Sequence, residues 1–544
     1  MLIEDSASPR HVGSPADIDG EAQALERRLA RRLLPPLFMV SLLCQLDRSN
    51  LAFAALQMDA QLGFSKTIHG LGSGLFFVGY LAQVPANMVC LAVGPRRWLP
   101  GLLVAWGCIA ACFAGVRGVR SFLALRLLLG VAEAGAYPAI FVWLGAFFTP
   151  RQLGPAFTWV TTATAVAGLL GAPLAACLMS LDGALGLEGW RWLFLVEGFA
   201  PVLLAAALPF LLPATPLTAA FLAPAEQQWL WRQLQGEPGV ELVGPPTAAA
   251  PAAATTTAAA AAALVEAAGA ETAAADAGAA AEAAARRPLL PPDRDDSAAA
   301  LPGGAATTAT AGKAAPHKAR PFGGGGALRA AIRGGLLDRR VYHLAAVMML
   351  IDVVMNAANF FLPMIVRAVI TGQFANEGGS GGGGRGGGGA AALNIRAALL
   401  SALPFCAAAV AMVANAHHAR ARDERRLHTA LPMVATALAL AGTPALVALG
   451  PAPALLGLSA AAAGIWAVHG PFFSWPAALL DRQPAALAFA LIKSGGAVGG
   501  FAGPLAVGAM ADVLGGWGGA MLLLAGCALA CAGLVLVFDD RPRR

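Results

Sequence analysis

Long apolar segments recur along the whole chain, with polar residues gathered between them. A helix that crosses a membrane needs about 20 apolar residues, because it rises about 1.5 Å per residue through a hydrocarbon core about 30 Å thick. Suitable segments lie at residues 33–54, 71–93, 97–116, 119–148, 153–180 and 190–212, and again at 341–369, 394–417, 428–449, 452–478, 485–511 and 517–538. The pattern predicts an all-α membrane protein with twelve transmembrane helices in two six-helix halves.

The polar stretches divide the chain further. We predict an N-terminal tail at 1–32, an N-terminal half at 33–212, a linker at 213–340, a C-terminal half at 341–538 and a C-terminal tail at 539–544. Residues 246–320 of the linker are rich in Ala, Thr, Pro and Gly, which cannot bury enough apolar surface to fold alone, so the linker should be largely disordered. A Gly-rich insert at 378–389 should be a flexible spacer in a loop.

Composition and charge agree with a membrane protein. Of all residues 58% are hydrophobic and only 12% are charged, and the mean hydropathy is +0.65. The net charge of +6 comes from short basic clusters beside apolar segments, at 27–32, 96–97, 339–340, 420–426 and 541–544. Such clusters indicate topology rather than nucleic-acid binding, and the positive-inside rule makes both termini and the linker cytoplasmic.

The first residues resemble no cleavable targeting segment. Acids recur through residues 4–26 without a short apolar core, which argues against a signal peptide and an organellar transit peptide. We therefore expect the lipid bilayer of the plasma membrane or of a vacuolar or other endomembrane.

The sequence contains no pattern that indicates an enzyme. The eight cysteines and eight histidines show no spacing typical of metal ligands, and no nucleophile motif is present. We expect no cofactor and no metal. Two helical halves joined by a long loop instead favour a secondary transporter whose halves rock around a central site, with glycines at 70–74 and 495–500 allowing close helix packing.

Four ionisable residues interrupt the apolar segments of spans 1 and 4: Asp47, Arg48, Arg126 and Glu133. Charged groups are costly in hydrocarbon, so these are candidates for function. Arg126 and Glu133 are two helical turns apart on one face, and Asp47 should lie between them in height. Burial favours the neutral carboxyl group and a nearby guanidinium favours the charged one, so this cluster could carry protons. A static ion pair between Arg126 and Asp47 is the alternative.

Other polar residues within spans are weaker candidates. Lys493 in span 11 could attract an anion or extend toward the interface. Tyr80 and Gln83 in span 2, and Asn359 in span 7, could bind a polar ligand or join helices. We expect Asp352 and Glu197 to pair with groups near the membrane interface.

Several stretches resemble a known family, the anion:cation symporters of the major facilitator superfamily, near the branch of tartrate and phthalate transporters. The matching residues cover almost the whole chain except the termini and two inserts, and include 46–54, 94–98, 126–138, 189–198, 361–363, 424–428 and 499–504. The run at 126–138, RLLLGVAEAGAYP, is the most specific of them.

The resemblance implies the major facilitator fold and proton-driven uptake of carboxylates. It implies that Asp47 and Glu133 carry protons and that Arg48 and Arg126 bind substrate or switch partners. The superfamily loop between spans 2 and 3 assigns a cytoplasmic gate to Gly94, Arg96 and Arg97. Gln83 and Lys493 depart from the family, which usually has Glu and Asn there.

We therefore expect symport of a small organic anion, a carboxylate, with a proton or a sodium ion. A facilitative uniporter for a neutral solute remains an alternative, since it would not need both intramembrane acids. A nontransporting sensor on a carrier fold is a second alternative, favoured by the long linker.

Overall fold

A computed structural model describes residues 15–236, 338–375, 387–479 and 482–538 of the chain. The central part of the predicted linker at 237–337, most of the Gly-rich insert and the two chain ends lie outside the described residues. Within them the chain forms helices and turns and no strand.

The first half of the chain contains ten of the described α-helices. In order they are α1 (Pro15–Leu62), α2 (Lys66–Tyr80), α3 (Gln83–Val93), α4 (Pro95–Cys112), α5 (Val119–Glu133), α6 (Ala136–Gly145), α7 (Pro150–Thr161), α8 (Ala163–Met179), α9 (Gly189–Leu211) and α10 (Pro224–Gly236).

The second half contains the remaining eight described helices. They are α11 (Arg339–Thr371), α12 (Gly387–Leu400), α13 (Ala402–Arg422), α14 (Arg426–Leu449), α15 (Pro451–Ala467), α16 (His469–Leu479), α17 (Arg482–Leu514) and α18 (Gly518–Val537).

Eleven helical stretches of the described chain are long and apolar enough to cross a membrane. The pair α2 and α3, bent by 43°, makes up to twelve if it counts as one span. The all-α architecture with twelve predicted spans is therefore confirmed.

The first helix starts earlier than the apolar segment that predicted it. It begins at Pro15 rather than near residue 33, because Leu25, Leu29 and Leu33 form a buried stripe at four-residue spacing. Arg28 on the exposed side of this extension pairs with Glu226 of α10. The first part of the predicted linker thus contains a helix.

A proline explains the bend in span 2. Pro85 is the third residue of α3, and a proline has no N–H and clashes with the carbonyl group four residues earlier, here that of Leu81. The helix therefore breaks between Tyr80 and Gln83, which places both predicted ligand-binding residues at the bend.

Glycines bring helices into backbone contact, both between the two halves and within the second half. A Cβ atom added at Gly70 of α2 would lie 2.2 Å from the carbonyl oxygen of Pro504 in α17, and one at Gly499 of α17 would lie 2.1 Å from that of Met349 in α11. No side chain fits in such spaces. The glycine runs identified in the sequence are thus close helix contacts.

Side-chain hydrogen bonds join the halves at the end of the bundle that carries the α1–α2 connection, residues 63–65, which we call the distal end. Thr67 donates to Asp512 of α17, with its backbone N–H at 2.8 Å and its hydroxyl group at 2.6 Å from Oδ2. Arg367 of α11 donates to the backbone oxygen of Leu56 at 3.2 Å. The opposite end, which carries the start of α1, is called the proximal end.

Candidate functional site

A buried ion pair inside the first half joins α1 to α5. Nε of Arg48 donates to Oε2 of Glu133 at 2.9 Å. The Glu133 side chain is fully buried and that of Arg48 is 22% exposed. A buried carboxylate needs such a partner, because an unpaired charge in a low-dielectric interior is very costly.

Aromatic rings surround the Arg48 guanidinium group. Its central carbon lies 4.7 Å from the ring centre of Tyr80, 5.1 Å from that of Phe76 and 6.0 Å from that of Tyr137. Ring faces are electron-rich and attract cations. Arg48 is therefore held by one carboxylate and several rings, and one of its terminal nitrogens, Nη2, has no hydrogen-bond partner among the described residues.

Arg126 lies where α5 approaches the second half. Its Nε donates to the backbone oxygen of Gly72 at 3.0 Å, and its guanidinium carbon lies 5.1 Å from the ring of Phe76 and 5.6 Å from that of Phe360 in α11. The structure thus holds Arg126 by a carbonyl group and rings, and pairs Glu133 with Arg48.

Asp47 is almost fully buried and lies within electrostatic range of both guanidinium groups. Its carboxyl group faces that of Glu133. Its Oδ2 atom has no hydrogen-bond partner among the described residues. Two carboxylates repel when both are charged, so this contact is favourable when one of them is protonated. The four charged residues predicted from spans 1 and 4 therefore form one cluster.

A further acid belongs beside this cluster, contrary to our sequence interpretation. Glu197 of α9 is only 5% exposed and faces Asn50 and Asp47 of α1 rather than an interfacial group. Neither of its carboxylate oxygens has a well-aligned hydrogen bond among the described residues. Asn50 lies one turn after Asp47, which was the available sequence signal for a polar face toward α9.

The second half contributes a cation and an acid. Nζ of Lys493 lies 5.0 Å from the ring centre of Phe473 and within electrostatic range of Asp352, His469 and, in the first half, Arg48. Asp352 is 6% exposed. Lys493 of the second half is therefore within electrostatic range of a cation of the first half.

Gln83 and Asn359 are the remaining residues that the sequence predicted as ligand-binding. Gln83 is half-buried at the start of α3, and Asn359 lines a small apolar cavity inside the second half together with Phe405 and Trp466. Within the described part of the chain, no hydrogen bond is found between Asn359 and the charged cluster. A cavity of this composition suits packing better than recognition of a charged ligand.

The predicted gate lies at the connection of α3 and α4. Gly94 joins these helices with φ of 88°, a conformation that favours glycine. Arg96 donates to the backbone oxygen of Pro209 in the same half at 3.4 Å, and Arg97 is exposed. Among the described residues no group of three or more His, Cys, Asp or Glu could hold a metal ion.

Comparison with known proteins identifies relatives along the whole chain. A protein of Agrobacterium vitis named "Putative tartrate transporter" is 29% identical over 95% of this chain and 92% of its own length. A second Agrobacterium vitis protein of that name is 39% identical over 39% of this chain, and the match spans about half (49%) of that relative. These names agree with the predicted resemblance to the anion:cation symporters.

Solved structures support the same architecture. The xylose transporter XylE from E. coli, in a partially occluded inward open conformation, superposes with a TM-score of 0.59 at 11% identity, covering 94% of this chain and 98% of that one. At this identity the likeness shows the fold alone.

A family model extends this match across both halves. The model described as Major Facilitator Superfamily matches residues 37–487. Its members are multi-pass membrane transporters and not enzymes. The predicted membrane fold and the prediction that the chain is not an enzyme are thereby confirmed. With the helical bundle and the buried charges of α1 and α5, this match shows that the chain belongs to the Major Facilitator Superfamily.

Proposed function

We propose that this transporter is a symporter that moves a small organic anion, a carboxylate, together with a cation. The observation that carries the proposal is the buried ion pair of Arg48 and Glu133 in the first half, with Lys493 of the second half within electrostatic range of Arg48. Two cations in a low-dielectric site repel, and a bound anion between them would remove that repulsion. A dicarboxylate could engage one cation with each of its ends.

Each cation already has an acidic partner. Glu133 accepts from Arg48, and Asp352 is within electrostatic range of Lys493. A substrate carboxylate therefore competes with these acids for the same donors. Protonation of Glu133 removes its charge and frees Arg48 for the substrate, which would couple anion binding to proton binding.

Asp47 supplies a second place for that proton. It faces Glu133 and both guanidinium groups, so a proton can move between the two carboxyl groups without leaving the cluster. A sodium ion near the same carboxylates would balance charge in a similar way, so we propose a proton or a sodium ion as the coupling cation.

Alternating access supplies the motion. The halves are joined at the distal end through Asp512 and Thr67, while Arg48 and Lys493 lie on opposite sides of the interface between them. Rocking of one half against the other would break the distal contacts and expose the site there. The basic clusters at 27–32, 96–97 and 339–340 lie at the proximal end, so we propose that this end and both termini are cytoplasmic.

Uptake by purified protein in proteoliposomes tests the proposal. Tartrate, chosen for the names of the relatives, and a panel of other mono- and dicarboxylates are offered with an imposed pH gradient, a sodium gradient or neither. We expect accumulation of one carboxylate class against its gradient, driven by one of the two ions, and loss of it in Arg48→Gln. Carboxylate uptake that depends on neither gradient would contradict the proposed coupling to a cation.

The two alternatives give distinct results in the same assay. Uptake of a neutral solute such as a sugar, without carboxylate uptake, would indicate a uniporter. Binding of a carboxylate without any flux would indicate a sensor. Either result would contradict the proposed symport.

A further inference from the structure

A buried histidine at the distal end is not used by the proposed site. His69 lies one turn into α2, is fully buried, and packs its ring edge-on against Phe361 of α11, with 5.1 Å between ring centres. Asp59 of α1 and the backbone of Phe360 in α11 flank it. A fully buried imidazole must satisfy both of its nitrogens or lose their hydrogen-bonding energy.

Each ring nitrogen lies close to an oxygen atom. Nε2 lies 3.3 Å from the backbone oxygen of Phe360, in the other half, and Nδ1 lies 3.2 Å from Oδ2 of Asp59 in the same half. Apart from this ion-pair contact, neither Nδ1 of His69 nor either carboxylate oxygen of Asp59 has an aligned hydrogen bond among the described residues. His69 therefore links a carboxyl group of one half to the backbone of the other.

The oxygen atoms of Phe360 and Asp59 determine how many protons the His69 and Asp59 pair needs. A carbonyl oxygen only accepts, so the proton of a neutral ring must be on Nε2, and Nδ1 would then have no proton to offer the nearby Asp59. If Asp59 were a carboxylate, its charge would be buried beside a ring nitrogen that cannot donate to it. One additional proton between Nδ1 and Oδ2 removes this conflict, whether it is assigned to the ring or to the acid.

Other charged groups on the surrounding helices do not replace that proton. Asp512 binds Thr67 and the N-terminus of α2, and the Arg126 guanidinium faces the Phe360 ring. Charged groups described in the distal parts of the helices packed around His69 are Asp59 on α1, Lys66 on α2, Arg126 on α5, Arg367 on α11 and Asp512 on α17. Asp59 is the acid in contact with the ring.

We propose that His69 and Asp59 form a proton-binding site that stabilises closure of the distal end. The proton binds when the halves are apart and the pair is open to water, and closure buries it as Nε2 reaches Phe360. The site is distinct from the Asp47 and Glu133 cluster, since Asp59 is twelve residues along α1 from Asp47, about 18 Å of helix. The proposal rests on the alternating-access cycle proposed above, and on neither the substrate nor the coupling ion.

Distances across the distal end test the proposal without substrate. Spin labels at Leu185, before α9, and at Leu449, the last residue of α14, sit on exposed distal positions of the two halves. They are introduced in a background without the native exposed cysteines, and distance distributions are recorded between about pH 8 and pH 5, the range in which histidine titrates. In the wild type we expect the short, closed distance to gain population as the pH falls.

Two variants make opposite predictions. His69→Gln keeps a donor for Phe360 but leaves the charge of Asp59 buried, so the open distance should dominate at every pH. Asp59→Asn can donate to Nδ1 of a neutral His69, so the closed distance should dominate at every pH. The loss of pH dependence in both variants, with opposite resting states, is the expected result.

A matched control separates this site from histidines in general. His343 also contacts a backbone oxygen, that of Leu534 at 2.8 Å, and lies within the second half at the proximal end. His343→Gln should keep the wild-type pH response. A wild-type pH response of the distances in His69→Gln, or no pH response in the wild type, would overturn the proposal. If carboxylate uptake fails while these distance changes are observed, only the proposed function is overturned.

Discussion

Asp512 at the end of α17 caps a helix of the other half, because it accepts hydrogen bonds from the backbone N–H and the hydroxyl group of Thr67. Its Oδ1 atom also accepts from the backbone N–H of Lys66 at 3.2 Å. A helix N-terminus has unpaired N–H groups and a positive partial charge, and an acid is a suitable partner for both. The N–H groups of Lys66 and Thr67 in the first turn of α2 thus have acceptors as long as the two halves are in contact at this end.

Asp512→Ala should loosen the distal end. A helix cap contributes about 0.5–2 kcal/mol, so amide hydrogens at residues 66–69 should exchange about 2- to 30-fold faster. Hydrogen exchange followed by mass spectrometry measures this.

The control is an acid that caps within one half. Asp182 accepts from the backbone N–H of Gly189 at the start of α9, at 2.7 Å, and Asp182→Ala should leave exchange at 66–69 unchanged. Equal exchange in the wild type and Asp512→Ala would contradict this prediction.

Glu133→Gln should uncouple transport from the ion gradient. The amide cannot release a proton but can still contact Arg48, so gradient-driven accumulation should fall to equilibration while exchange of labelled for unlabelled substrate continues. Uptake and counterflow in proteoliposomes measure the two activities. Glu188→Gln, at an exposed acid of the distal loop, is the control, and full accumulation in Glu133→Gln would remove coupling from this residue.

Lys493→Asn should weaken the binding of dianions more than the binding of monoanions. The ammonium group is one of two cations facing the proposed site, and a hydrogen bond to a charged group contributes about 1–3 kcal/mol, so the affinity for a dicarboxylate should fall about 5- to 150-fold. Titration of mono- and dicarboxylates by tryptophan fluorescence measures the difference. Arg232→Gln on α10 is an exposed control, and equal losses for both charge classes would indicate that Lys493 only extends toward the interface.

Gly70→Ala should destabilise the closed bundle. The added methyl group would lie 2.2 Å from the carbonyl oxygen of Pro504, a backbone atom that cannot rotate away, and overpacking of this kind costs about 1–3 kcal/mol. Thermal unfolding followed by size-exclusion chromatography measures the loss. Gly526→Ala in α18, where nothing lies within 4 Å of the added atom, should unfold like the wild type. Equal stability of both variants would show that the halves do not meet at Gly70.

Local pattern alone was sufficient to locate the transmembrane spans and to identify the charged residues within them. Whether a segment can cross a membrane depends on its own twenty or so residues, so the spans could be located without knowledge of their neighbours. The cost of a charge in hydrocarbon is equally local, and it singled out Asp47 and Glu133 correctly as deeply buried groups. The early start of α1 was missed because its Leu stripe is amphipathic rather than apolar throughout.

The contacts between these residues could not be predicted in the same way, because they depend on how each helix is rotated and on where it meets its neighbours. Tertiary packing decided that Glu133 contacts Arg48, that Arg126 contacts a carbonyl group of α2, and that Glu197 faces α1. His69 illustrates the reason most clearly, since its two oxygen partners lie 10 residues before it and 291 residues after it in the chain. The sequence by itself determined which polar residues lie within apolar spans, whereas helix packing, within the first half and between the halves, decided what each of them contacts.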